Sequence, residues 1–206
     1  MSLLGSWHFN ENDTANVRDY STNGLDSASV SGLTIVASDR GLAGRFNNSL
    51  PTKVNFGDVG SPGANKLTID FKIRFTSTGQ DMIVVDKDGQ YRVYLDGSEN
   101  RMLFKVWIGT IQKNVTSTTI FNADIWYRII CIYDGANMRM FVNEILDATS
   151  GSVTGNIDAG ANALLLGALI GDTLGLNGVG FFSPVFKFHV IPSIIYLTAL
   201  SDIMTF

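Results

Sequence analysis

The sequence predicts an all-β domain in which two antiparallel sheets pack face to face as a sandwich. Three observations predict it. Apolar and polar residues alternate with period two along most of the chain, and clusters of Asp, Asn, Ser and Gly interrupt the alternation every ~8–12 residues. No segment of adequate length carries helical periodicity; only the tail LTALSDIMTF has room for one turn.

The alternation is cleanest in LTIDFKIRF, where Leu67, Ile69, Phe71, Ile73 and Phe75 share one face and Thr68, Asp70, Lys72 and Arg74 the other. Such a strand sets one side on a core and the other in water. QYRVYL places Tyr91, Val93 and Leu95 inward by the same rule. RMLFKVWIG puts Met102, Phe104, Val106 and Ile108 on one face, with Leu103, Lys105 and Trp107 opposite. IWYRIICIY and NMRMFVN are largely apolar on both faces, as strands in the middle of a layered sheet are. The stretches DKDG, DGSEN, YDGAN and TSGSVTGN separate these runs and supply positive φ and local side-chain hydrogen bonds. DMIVVDKDGQYRVYLDG holds four aspartates in seventeen residues. Asp81, Asp86, Asp88 and Asp96 are expected there as hairpin punctuation, accepting nearby backbone N–H groups next to a glycine.

Composition narrows the classes. The 206 residues contain no linker and no internal repeat, which predicts a single domain over 1–206. Apolar residues make up 45 % and charged residues 17 %, ample for a core and the reverse of a disordered chain. Net charge is −4 from 15 basic and 19 acidic side chains, with no basic run, so nucleic acid is not an expected partner. No apolar run reaches the ~18 residues of a membrane-spanning helix, and no signal peptide is visible. The sequons at Asn12, Asn47 and Asn114 then read as accidental. The apolar ending IMTF is expected to be held by packing.

Taken in order, the segments resemble the laminin-G-like, concanavalin A-like jelly-roll family. GSWHFNENDTANVRDYSTNGLDSASVSG resembles its opening Trp-x-Phe strand, acidic loop and Asn-Gly turn, and DRGLAGRFNNS its Gly-x-x-Gly-x-x-Phe element. KLTIDFKIRF, the pair of strands in WYRIICIYDGANMRMFVNE, and SPVFKFHVIPSIIYLTALSDI follow in family order. Two features depart from the pattern: Asn143-Glu144 stands where Asn-Gly is expected, and the last strand carries Pro192. The resemblance implies a jelly-roll sandwich that binds at edge loops or on a sheet face. It implies no one task, because the fold hosts lectins, adhesion modules, glycosidases and virion parts.

Candidate chemistry is sparse. Glycoside hydrolysis needs two facing carboxylates, and the glucanases of this broad fold carry Glu-x-Asp-x-Glu on one strand. That triplet is absent, and the three glutamates, Glu11, Glu99 and Glu144, all sit in turn-like sequence. Cys131 alternates with Ile129 and Tyr133 as a packed thiol, and the only histidines are His8 and His189, with His189 read as a solvent-side strand residue. One cysteine and two distant histidines cannot complete a zinc shell. Laminin-G-like modules often bind calcium, and Asn12, Asp13 and Asp19 in the N-terminal loop are weak candidate ligands; a turn-and-cap role for Asp19 is the favoured reading. Sugar binding needs only aromatic faces and a few polar groups, and Tyr94, Trp107 and Trp126 fall on the polar-alternating sides of their strands. The competing expectation is that these second faces are covered by a loop or another subunit. Ile130, Ile132 and Phe141 favour covering.

Together these readings predict a non-enzymatic adhesion or structural module on a virion or extracellular surface, a phage capsid decoration or fibre component being the concrete form. The expected partner is a glycan or another surface protein, and a second copy of the chain is a further candidate. A lectin-like carbohydrate-binding module is the alternative, and a glycoside hydrolase of the same fold comes third.

Overall fold

The computed structural model describes residues 5–9, 12–38, 41–47, 52–62, 66–169, 175, 176 and 178–181. The expectations for His189, Pro192 and the LTALSDIMTF tail therefore lie outside the described residues. In chain order the strands are β1 (Ser29–Ser31), β2 (Thr34–Ser38), β3 (Gly41–Phe46), β4 (Lys53–Asn55), β5 (Leu67–Phe75), β6 (Met82–Lys87) and β7 (Tyr91–Asp96). They continue with β8 (Arg101–Ile108), β9 (Ile111–Ile120), β10 (Trp126–Tyr133), β11 (Met138–Val142), β12 (Ile145–Thr149), β13 (Leu164–Leu166) and β14 (Gly178–Phe181). Among the described residues no helix is long and apolar enough to cross a membrane.

The strands form two antiparallel sheets. The first runs β1-β4-β13-β6-β7-β8-β9 and the second β12-β11-β10-β5-β14-β3-β2. Hairpins and crossovers between the sheets give the two-layered jelly roll. β5 shows why these residues make this layer: Leu67, Ile69, Phe71, Ile73 and Phe75 are all buried, while the residues between them are half-buried. Each such side chain contributes about 1.5–3 kcal/mol by leaving water. Across the interior, Tyr91, Val93, Leu95, Met102, Phe104 and Val106 of β7 and β8 belong to the same apolar cluster. A bulge between Ile83 and Val85 lets both Val84 and Val85 of β6 join it. Cys131 is buried in this core beside Ile129 and Tyr133, and burial pushes its thiol pKa up, so it stays protonated.

One end of the sandwich is closed by three side chains of the β6–β7 hairpin. Lys87 is wholly buried, and its Nζ donates to Asp58 Oδ1 at 3.0 Å and to the Asn162 carbonyl at 2.6 Å. Gln90 Nε2 donates to the Gly160 carbonyl at 2.7 Å, and Tyr91 OH to the Gly60 carbonyl at 2.8 Å. Gly60 has φ 78°, and a Cβ there would come within 2.7 Å of the Tyr91 hydroxyl. Both facts require glycine.

The side edges differ. β9 and β12 flank one side, and Asp147 of β12 accepts hydrogen bonds from Thr118 N at 2.7 Å and Thr119 N at 3.1 Å, tying the sheets together. On the other side the chain passes from β1 to β2 through Gly32 and Leu33. The Asn143-Glu144 departure keeps its hairpin: Val142 faces Ile145, and both turn residues have positive φ, 50° and 72°. That is the geometry of a two-residue primed turn, with glutamate where glycine is preferred.

Candidate functional site

The outer face of the first sheet is built by alternation. Because Tyr91, Val93 and Leu95 point inward, Arg92 and Tyr94 point outward; Leu103, Lys105 and Trp107 do the same on β8. Register places Tyr94 beside Leu103 and Arg92 beside Lys105, and on β9 sets Gln112 opposite Trp107, Asn114 opposite Lys105 and Thr116 opposite Leu103. Ile83, Asp86 and Leu165 also take outward places but are buried, so the accessible part of this face lies over β7, β8 and β9.

Tyr94 and Trp107 stand half-buried on that floor, each with a cation at its ring. Lys105 Nζ lies 4.8 Å from the Tyr94 ring centre, and the Arg92 guanidinium carbon 5.5 Å from that of Trp107. A cation at this range is attracted by the ring quadrupole, which fixes both partners. The outer ends of the floor are open: Gln112 and Asn114 are exposed. The arrangement can offer flat apolar surface, a cation at each ring, and amide groups within one patch.

Arg92 is also the counter-ion of Asp86. Its Nε donates to Asp86 Oδ1 at 2.6 Å, while its second contact, to Asp88 Oδ1, is longer at 3.3 Å. Burial pushes the Asp86 carboxyl up from the ordinary aspartate value, Arg92 pulls it partly back, and Asp88 adds to the rise. Its Oδ2 is buried and accepts no hydrogen bond among the described residues. This corrects the reading of the four aspartates as turn punctuation. Asp81 and Asp96 do accept backbone N–H groups, from Gly97 and Ser98, each at 2.8 Å. Asp86 instead lies within β6 as half of a buried ion pair, and Asp88 alone occupies the turn with Gly89 at φ 74°. The missed signal is the Asp-x-x-x-x-x-Arg spacing, which a three-residue turn folds into a directly opposed pair.

Trp126 is not brought to this surface. It starts β10 in the second sheet, facing outward beside Arg74, whose guanidinium carbon lies 5.3 Å from its ring centre. The three aromatic candidates therefore divide two to one between opposite sides of the sandwich. Of the outward apolar residues on the Trp126 face, Ile130 is 6 % exposed, while Ile132 and Phe141 are half-buried.

The N-terminal loop uses its carboxylates on its own backbone. Asp19 Oδ1 accepts from Ser6 N and Ser21 N, each at 2.8 Å, and Oδ2 from Ser21 Oγ at 2.6 Å and Leu25 N at 2.9 Å. Burial alone would raise its pKa, but these bonds outweigh it and hold the carboxyl below the usual value. Asp13 Oδ1 accepts from Ala15 N at 2.8 Å and Asn16 N at 3.2 Å, and Asn12 is exposed. Calcium takes six to eight oxygens. Among the described residues no three His, Cys, Asp or Glu side chains converge as a metal site, and the Asp19 oxygens are already engaged. Among the described residues, Asn12, Asp13 and Asp19 do not converge on a calcium site.

A laminin-G-type family model, described as the concanavalin A-like lectin/glucanases superfamily, matches residues 49–179. The chain belongs to this superfamily. Among solved structures it is similar to the binding domain of Paraclostridial Mosquitocidal Protein 1, with a TM-score of 0.72 and 12 % identity over 95 % of this chain and 50 % of that one. It is similar to domain 4 of AbnA, a GH43 extracellular arabinanase from Geobacillus stearothermophilus, in complex with arabinotriose. There the TM-score is 0.69 and the identity 13 % over 93 % of this chain and 95 % of that one. The binding domain of Botulinum Neurotoxin DC in complex with SialylT matches with a TM-score of 0.65 and 15 % identity, over 95 % and 48 % of the two chains. The chain thus spans about half the length of both toxin domains. At these identities the likeness is one of fold. No curated protein matches the chain in sequence.

Proposed function

We propose that the chain is a non-enzymatic glycan-recognition module on a virion or extracellular surface, with the accessible face of β7–β9 as its combining surface. The observation that carries this reading is the placement of Tyr94 and Trp107 on one floor, each beside a cation, with Gln112 and Asn114 exposed at the rim. Ring faces stack against the C–H side of a sugar while amides and cations meet its hydroxyls. Two of the similar structures hold a sugar or a sialylated ligand by name, arabinotriose and SialylT, and support a glycan as the partner class. Asp86 and Asp88 are both engaged by Arg92 rather than standing free as an acid–base pair, which supports binding over hydrolysis.

Within this reading a phage capsid decoration or fibre module is the concrete setting. Capsid and tail genes beside the coding sequence would support it, and a cluster of carbohydrate-degrading enzymes would move the module to a secreted enzyme. The binding claim is tested by probing a glycan array with the purified chain. Retention of a glycan that is lost on Trp107→Ala and on Tyr94→Ala, but kept on Trp126→Ala, is the expected result. No retained glycan, or retention indifferent to both floor substitutions, overturns it.

A further inference from the structure

The outermost strands of the two sheets are not equally guarded. β9 and β12 are cross-tied by Asp147, and β1 is only three residues long. β2 differs. Its residues Thr34–Ser38 pair with β3 through five consecutive positions without a register shift, and among the described residues its other edge has no partner. An unpaired edge presents a row of N–H and C=O groups to any incoming strand, and proteins usually guard it with lysine, proline or a bulge. The β2 sequence, TIVAS, carries none of these. Thr34 and Ala37 are exposed, and Ile35 and Val36 are half-buried.

A second observation lies one strand in. Arg45 of β3 sits directly beside Thr34, is exposed, and has no carboxylate partner among the described residues. Across β14, at the same level, Arg74 rests on Trp126 and is likewise without a carboxylate. Arg128, farther along this face, is neutralised by Asp70 and Glu144. Among the described residues, a chain of net charge −4 therefore keeps Arg45 without a carboxylate on the outer face, one strand in from the β2 edge.

We propose that β2 is an acceptor edge for an extended, acidic segment of a partner protein, which adds a strand to the second sheet. Main-chain hydrogen bonds would supply the affinity and Arg45 the selectivity. Side chains alternate along a strand, so acidic residues at every second position of the added segment share the face of Arg45. Strands lie ~4.8 Å apart, so such a residue is ~10 Å from the Arg45 backbone, a gap that an arginine and a glutamate close between them. A second copy pairing through its own β2 fits less well, because TIVAS brings no carboxylate and carries another unmatched Arg45 with it.

The test uses the full chain and three blocked peptides: VEVEVEV, its lysine counterpart VKVKVKV, and VEVPVEV, whose central proline disrupts strand pairing. Affinity is read by calorimetry and β2 amide exchange by NMR. VEVEVEV should bind at least about tenfold more tightly than either other peptide. The outward-facing β2 amides should then become protected, and Arg45→Glu should reverse the preference to VKVKVKV. Arg45 is exposed, so its variant is expected to fold. Arg74 lies four strands from the added segment, ~19 Å away and beyond a Debye length, so Arg74→Glu is the control and should leave VEVEVEV binding unchanged within about twofold. Equal affinity for the two charged peptides, or binding of VEVEVEV with unchanged β2 exchange, overturns the proposal. So does concentration-dependent protection of β2 without peptide, which assigns the edge to a second copy.

Discussion

Arg92 and Arg128 occupy comparable places on the two outer faces, one on each sheet, and are held in different ways. Arg92 neutralises a carboxylate that is 0 % exposed and lies against Trp107. Arg128 grips Asp70, with its Nη2 2.7 Å from Oδ2 and its Nε 3.2 Å from Oδ1, and reaches the exposed Glu144 at 2.8 Å. Asp70 is 17 % exposed and Glu144 72 %. The first arginine is thus tied to a charge that has no access to water, and the second joins a half-buried carboxylate, its pKa raised by burial, to an exposed one. A cation that must remain in place and also supports an aromatic ring is a fixed element of a surface. A cation shared between a half-buried and an exposed carboxylate is a strut between strands.

Breaking each pair should separate these roles. Arg92→Ala leaves Asp86 buried without its counter-ion and is expected to destabilise the fold by about 3–5 kcal/mol in chemical denaturation. The Asp86 carboxyl is already raised by burial, so the native state holds its proton more tightly than the unfolded chain does. Its contribution to stability therefore falls as pH rises through the raised value. The variant should be weakest above that value and recover part of its stability as pH is lowered toward the ordinary aspartate range. A variant whose stability fails to rise as the pH is lowered from neutrality into the ordinary aspartate range would contradict this. Arg128→Ala should cost less, about 1–2 kcal/mol, because Glu144 is exposed and Asp70 keeps partial access to water.

The smallest effect is expected at the neighbouring turn. Glu144→Gly removes a side chain held at φ 72° and loses one exposed ion pair. The net change should be a stabilisation of about 0.5 kcal/mol, read as a slight rise in melting midpoint. A fall in midpoint would show that the Arg128–Glu144 contact outweighs the turn strain.

What the sequence disclosed follows the range of the interactions. The inward faces of β5, β7 and β8 were legible because alternation is local: each residue’s face is set by its neighbours two positions away. The primed hairpin at Asn143-Glu144 was not legible, because glutamate takes the positive-φ place where the sequence pattern asks for glycine. Nor was the separation of Trp126 from Tyr94 and Trp107. All three alternate with polar neighbours, and only long-range pairing, Trp126 with Arg74 and Trp107 with Gln112, decides which sheet displays each ring. Lys87 looked like a solvated turn residue, yet it is buried because Asp58 and Asn162, distant in sequence, converge on its ammonium. Asp86 was misplaced by a single step between turn and strand, which is the least certain boundary a sequence offers.

On the proposed function, one face, the floor of β7–β9, meets the ligand. The most direct measurement is a two-dimensional NMR titration that follows the indole N–H signals of Trp7, Trp107 and Trp126 while arabinotriose or a sialylated oligosaccharide is added. Trp7 is wholly buried and reports on the core, whereas Trp107 and Trp126 report on opposite faces. A saturable shift of the Trp107 signal alone is the predicted result. A saturable shift at Trp126 with Trp107 unmoved would contradict it and place recognition on the second sheet.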